Sequence, residues 1–129
     1  MDYYVDMDGT VLAPTHATSL DDWMYKIGSG RCSILNLNLL RWLKARKEEG
    51  HTLYVWTDRS PELYSATMRN LGKWSRLFDM GSFNGDGVSG KAKSKVDGFV
   101  IDDKEQYVRC GVRGGMQVTW TRRDRKEVV

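Results

Sequence analysis

The chain of 129 residues has little of what would place it in a special class. Its two cysteines, Cys32 and Cys110, stand far apart without CxxC or Cys/His spacing, which excludes a disulfide framework or a zinc knuckle and suits a reducing compartment. His16 and His51 are isolated, so no soft-metal ligand set assembles from the sequence. No apolar run approaches the roughly 20 residues of a membrane helix. Asp2 and Asp6 stand where a secretory leader would be basic, and the reading expects a cytoplasmic protein that does not engage a membrane. Repeats, low-complexity tracts and linker-like stretches are missing too. What is there, 40% hydrophobic and 29% charged residues, is the balance of one globular domain over residues 1–129.

The order of elements sets the fold class. DYYVD reads as a first strand. From Ser33 to Glu49, Leu35, Leu39, Trp42 and Leu43 recur at steps of three and four, with Asn38, Arg41, Lys44, Lys47 and Glu48 off that stripe. This predicts an amphipathic helix capped by Ser33 and ended by Gly50. HTLYVWT follows as a strand whose continuous apolar run suits a sheet covered on both faces. Ser60, Pro61 and Glu62 open a second helix with Leu63, Ala66, Thr67 and Leu71 inward and Gly72 after it. RLFDM, GFVID and MQVTWT supply three more strands. Strands alternating with helices predict an α/β, Rossmann-like parallel sheet flanked by helices.

Ligands of such sheets bind at the carboxyl ends of the strands, and polar residues gather there. Asp6 and Asp8 close the first strand, Thr57 and Asp58 the second, Asp102 and Asp103 the fourth, with Lys91, Lys93 and Lys95 just ahead of it. Converging carboxylates repel one another by several kcal/mol at low effective dielectric, so a cation is implied. The candidate ligands are all oxygens, which favours a hard ion such as Mg²⁺. A lysine and a threonine hydroxyl beside such a cluster form a receptor for a phosphoryl group.

In this arrangement DMDGTV resembles the first signature of the haloacid dehalogenase (HAD) superfamily, LYVWTDRS its second and FVIDDK its fourth, with an upstream lysine as the third. The matches run in order from residue 3 to residue 104. The resemblance implies a small Mg²⁺-dependent phosphatase without a large cap domain, acting through an aspartyl-phosphate. Asp6 would be the nucleophile and Asp8 the general acid and base, which favours phosphate ester hydrolysis over dehalogenation. Thr57 would bind a phosphoryl oxygen and Lys91, with Lys93 and Lys95 as alternatives, would neutralise charge. Asp6, the Asp8 backbone carbonyl, Asp102 and Asp103 would surround the metal. Gly9 turns the chain, and Gly9, Thr10, Asp58, Arg59 and Lys93 are candidates for substrate contact, Asp58 and Arg59 as surface residues of a loop. A response-regulator receiver is excluded by order, because here the paired acids follow the lysine.

Three stretches remain. Residues 13–32, a long connection carrying Trp23, Met24 and Tyr25, are expected to serve as a flap. GSFNGDGVSG lacks the GKS or GKT ending of a P-loop. From Lys104 onward seven basic residues face three acidic ones, and the basic tail over residues 120–129, with Arg59 and the tryptophans, tilts the expected partner towards a nucleotide or nucleic-acid end. A sugar phosphate, or a module that binds Mg²⁺ and phosphate without turnover, are the alternatives. Oligomeric state is open.

Overall fold

The computed structural model describes residues 1–14, 32–83 and 94–118. Strand β1 (Asp2–Val5) is followed by two short strands, β2 (Leu12–Pro14) and β3 (Cys32–Ile34), then by helix α1 (Leu37–Glu48) and strand β4 (Thr52–Thr57). A 3-10 turn (Pro61–Leu63) leads into α2 (Tyr64–Leu71), and a second one (Gly72–Leu77) into β5 (Asp79–Phe83). After the next described stretch come β6 (Phe99–Asp102), the one-turn helix α3 (Glu105–Val108) and β7 (Gly115–Gln117). Five strands form one sheet in the order β5-β4-β1-β6-β7, and every pairing is parallel. The expected α/β parallel architecture is therefore what this sequence adopts.

Alternation along the central strands sorts side chains onto two faces. Tyr3 and Val5 of β1, Leu53 and Val55 of β4 and Ile101 of β6 share one face and join Leu39, Leu40 and Leu43 of α1 in the buried core. Tyr4, Tyr54 and Trp56 lie on the other, where Tyr4 and Tyr54 stack with centroids 5.2 Å apart. The chain runs outward from β1 through β4 to β5, then returns to place β6 on the opposite side of β1. This reversal puts the topological switch beside β1, where the carboxyl ends of β4, β1 and β6 lie side by side.

Several boundaries differ from the sequence reading. Ser33 does not cap the first helix. It pairs with Ala13 in the antiparallel β2-β3 ladder, so the helix starts later and Asn36 caps it, its Oδ1 accepting from the Leu39 amide at 2.9 Å. The third strand lies at Asp79–Phe83, because Gly72–Leu77 coil into a 3-10 segment before the chain extends. Residues 13 and 14 of the expected flap belong to β2, and Cys32 to β3. The rest of that stretch, Lys91, Lys93 and the tail over residues 120–129 lie outside the described residues. Among the described residues no helix is long and apolar enough to cross a membrane.

Candidate active site

Asp6 follows β1 directly and is only 6% exposed. Its amide donates to the Ile101 carbonyl at 2.9 Å, extending the sheet ladder to the point where the chain must leave it. The exit is a tight turn in which the Met7 carbonyl accepts from the amides of Thr10, Val11 and Leu12. Gly9 makes this turn at φ +85°, and a Cβ there would sit 2.5 Å from Asp103 Oδ2. The backbone conformation favours glycine, and any side chain there would have to push the Asp103 carboxylate aside. Thr10 is buried, and its hydroxyl donates to Asp6 Oδ2 at 2.8 Å. The turn therefore orients the carboxylate that precedes it.

The carboxylates of Asp6, Asp102 and Asp103 converge, with one oxygen from each lying within 4.8 Å of the others. Asp102 is fully buried, and its Oδ1 accepts the Lys104 amide at 3.0 Å. At an effective dielectric near 20, two unit charges at this separation repel by about 3 kcal/mol. Positive charge placed among three such carboxylates would relieve this repulsion, and an all-oxygen set suits a hard divalent ion. Donor chemistry and spacing therefore fit the expected Mg²⁺. The Asp8 carboxylate is not a member of this group.

Asp8 turns to Arg59 instead. Arg59 Nε donates to Asp8 Oδ2 at 2.9 Å and Nη2 to Oδ1 at 2.7 Å, a two-pronged pair. The guanidinium is fixed from behind, with Nη1 donating to Thr67 Oγ1 at 2.8 Å and Asn70 Oδ1 at 3.2 Å, both on α2. Thr67 in turn donates to the Leu63 carbonyl at 2.7 Å. Burial lowers the Arg59 pKa, but the hydrogen bonds and charge of Asp8 outweigh it and the net shift is upward. The arginine is a permanent cation.

Arg59 was expected on the loop surface. It is 3% exposed, because α2 presents Thr67 and Asn70 at i and i+3 to receive it. Its reach also includes Cys32, whose Sγ lies 3.7 Å from Nη2. Burial raises the Cys32 pKa above the ordinary thiol value, and Arg59 offsets part of that rise.

A cleft of about 90 Å³ opens over these strand ends, lined by Asp6, Asp8, Thr57 and Asp58 on one side and by Asp103, Lys104 and Tyr107 on the other. It has room for several water molecules. Thr57 Oγ1 accepts from the Arg59 amide at 3.1 Å, so the same arginine residue contacts both Asp8 and Thr57. Of the candidates for substrate contact, Asp58 lines the cleft, Gly9 shapes the turn, Thr10 supports Asp6 and Arg59 supports Asp8. Lys95 is exposed. Sequence reading missed Lys104 and Tyr107, whose only signal was their position just after the paired acids.

No family model matches the chain, and no curated protein matches it either. Among solved structures, a chain of the Pnkp1/Rnl/Hen1 complex superposes with a TM-score of 0.68 at 18% identity, the match covering 92% of this chain and 46% of that one. A chain of the Pnkp1/Rnl/Hen1 RNA repair complex gives 0.68 at 18%, covering 93% and 42%. The chain thus spans less than half the length of these neighbours. At this identity the likeness is one of fold.

Proposed function

We propose that the chain is an Mg²⁺-dependent phosphatase of the HAD type that hydrolyses phosphate monoesters, with nucleic-acid ends as the favoured substrates. The observation that carries this reading is the meeting of Asp6, Asp102 and Asp103 at the strand ends, beside an Asp8 held apart from them by Arg59. The ordered signatures support it. So does the likeness in fold to chains of an RNA repair complex, which favours a nucleic-acid end over a sugar phosphate.

In this reading Asp8 enters the first step carrying a proton on one of the two oxygens that face Arg59; an Asp6 oxygen attacks phosphorus as the bond to the leaving oxygen breaks, and Asp8 gives that oxygen its proton. An aspartyl-phosphate results. Water then attacks the same phosphorus, its proton passes to Asp8, and the bond to Asp6 breaks, restoring both carboxyl groups and releasing phosphate. Thr10 keeps the Asp6 carboxylate oriented, and Arg59 holds the Asp8 side chain at the cleft. Thr57 accepts from the Arg59 amide and keeps its hydroxyl hydrogen to offer a phosphoryl oxygen. Asp6, Asp102, Asp103 and the Asp8 backbone carbonyl would hold Mg²⁺, which when bound supplies neutralising charge to the phosphoryl oxygens. Lys91 is the proposed site lysine, with Lys93 close behind it.

The test is phosphate release from a panel of an aryl phosphate, nucleoside monophosphates, sugar phosphates and oligonucleotides phosphorylated at either end, with and without Mg²⁺. Release by the wild type that needs Mg²⁺ and disappears in Asp6→Asn is the expected result. Bound Mg²⁺ with no release from any substrate would favour the binding module instead.

A further inference from the structure

The cleft over the strand ends is rich in negative charge before any substrate enters it. Of its lining side chains among the described residues, Asp6, Asp8, Asp58 and Asp103 are acids and Lys104 is the one cation. Arg59 adds little to the opening, because its guanidinium is 3% exposed and is spent on both oxygens of Asp8. A phosphate monoester carries about two negative charges near pH 7, so one entering this space meets its own sign on several sides. A divalent ion among Asp6, Asp102 and Asp103 would offset part of that charge. The walls of the cleft must offer the rest, and Lys104 is placed to do so. Its amide donates to the buried Asp102 carboxylate at 3.0 Å, and its carbonyl accepts from the amides of Tyr107 and Val108 at 3.0 and 3.1 Å. The backbone is thus pinned while the side chain is exposed. Among the described residues no carboxylate pairs with its ammonium, which lies 5.8 Å from the centroid of the Tyr107 ring.

We infer that Lys104 is a substrate-binding residue whose ammonium leaves the Tyr107 ring to donate to a non-bridging phosphoryl oxygen, across the cleft from Thr57. The inference deepens the phosphatase reading, rests on the phosphoryl site proposed there, and adds a second cation to Lys91. A lysine on a pinned backbone can make this exchange by rotating its four-carbon stem. A cation over a ring at an exposed position is held less strongly than one donating to a phosphate, so the exchange runs downhill. Such a contact forms when the phosphate binds and persists through the reaction. It therefore lowers KM and leaves kcat nearly unchanged. Because the ammonium sits at an exposed rim, its effect falls as salt rises.

The experiment measures kcat and KM for an aryl phosphate in wild type, Lys104→Gln, Lys104→Arg and Arg109→Gln. Arg109 is an exposed cation that pairs with Glu105 at 2.6 Å and does not line the cleft, so its variant reports the effect of overall charge. Lys104→Gln is expected to raise KM about tenfold at low salt with kcat within about twofold of wild type. Lys104→Arg should recover most of that loss, and Arg109→Gln should stay within about twofold of wild type. A fall in kcat at unchanged KM, no change in either constant, or an equal rise of KM in Arg109→Gln would overturn the assignment.

Titration of inorganic phosphate into wild type, Lys104→Gln and Lys104→Arg in the presence of Mg²⁺, followed by calorimetry, separates this inference from the phosphatase reading. Weaker binding by Lys104→Gln, restored in Lys104→Arg, upholds the contact even where no ester is hydrolysed. Equal binding by wild type and Lys104→Gln, or none by wild type, overturns it even where phosphate is released from esters. The side chain is exposed and the backbone hydrogen bonds of Lys104 do not depend on it, so both variants are expected to fold.

Discussion

Asp6 and Asp8 are two residues apart on one turn, yet the protein treats their charges in opposite ways. Asp8 is matched internally by a buried arginine that is itself anchored to α2 by Thr67 and Asn70. Asp6 is gathered with Asp102 and Asp103 into a concentration of negative charge. One carboxylate is thereby paired with a buried guanidinium, and the other stands in the group proposed to hold the cation. Both residues lie beyond the end of β1, and the turn that Gly9 makes at φ +85° sends them to different neighbours. The difference matches the two roles proposed, since a nucleophile works beside the metal and a proton carrier works better away from it.

The largest effect on this comparison should come from removing the internal cation. Arg59→Ala removes the two-pronged partner of Asp8 and the donor to Thr67 and Asn70, and should destabilise the fold by about 3 kcal/mol, read as a fall in the urea midpoint. A change under about 1 kcal/mol would mean that the pair contributes little. Arg59→Lys keeps the charge but loses the two-pronged geometry, and should recover only part of the stability. Next comes Gly9→Ala. The substitution forces a side chain into φ +85° and against Asp103 Oδ2, so it should cost about 1–3 kcal/mol and weaken cation binding together. Retained cation affinity would show that the turn and the acid cluster are not mechanically linked.

Thr10→Val removes one neutral-to-carboxylate hydrogen bond at nearly constant volume, and should cost about 1–2 kcal/mol while lowering turnover through a misoriented Asp6. An unaltered rate would separate Thr10 from the reaction. The smallest effect concerns Cys32. Burial keeps this thiol protonated above the ordinary value of 9.0, so in a Cys110→Ser background its alkylation by iodoacetamide should rise only at higher pH than for a free thiol. Because the folded pKa is raised, the associated stability is complete below the unfolded value and is lost as pH climbs through the folded one. Removing Arg59, which lowers this pKa, should push the alkylation profile further up. A midpoint at or below the ordinary value would contradict the packing around Arg59.

Much of this was legible in the sequence. Apolar runs at β1, β4 and β6 fixed the parallel sheet, and acids placed just after such runs had to arrive together once the strands were neighbours. Gly9 signalled its turn by composition. Arg59 misled because a charged residue after a strand usually faces solvent, and its true environment depends on Thr67 and Asn70, polar residues on the inner side of a helix eight and eleven residues later. Ser33 misled in a related way, since a serine before a helical stripe looks like a cap, and only the long-range pairing with Ala13 makes it part of a strand. Lys104 and Tyr107 carried no periodic signal because a single helical turn has none.

The division between the two aspartates is tested most directly by titrating Mn²⁺, followed by electron paramagnetic resonance, into wild type, Asp103→Asn and Asp8→Asn. Mn²⁺ stands in for Mg²⁺ as a hard ion with oxygen ligands. The account predicts that Asp103→Asn weakens binding by at least about tenfold, the loss of a carboxylate ligand, while Asp8→Asn, which keeps its backbone carbonyl, stays within about threefold of wild type. Equal weakening by both variants, or no binding by the wild type, would contradict it.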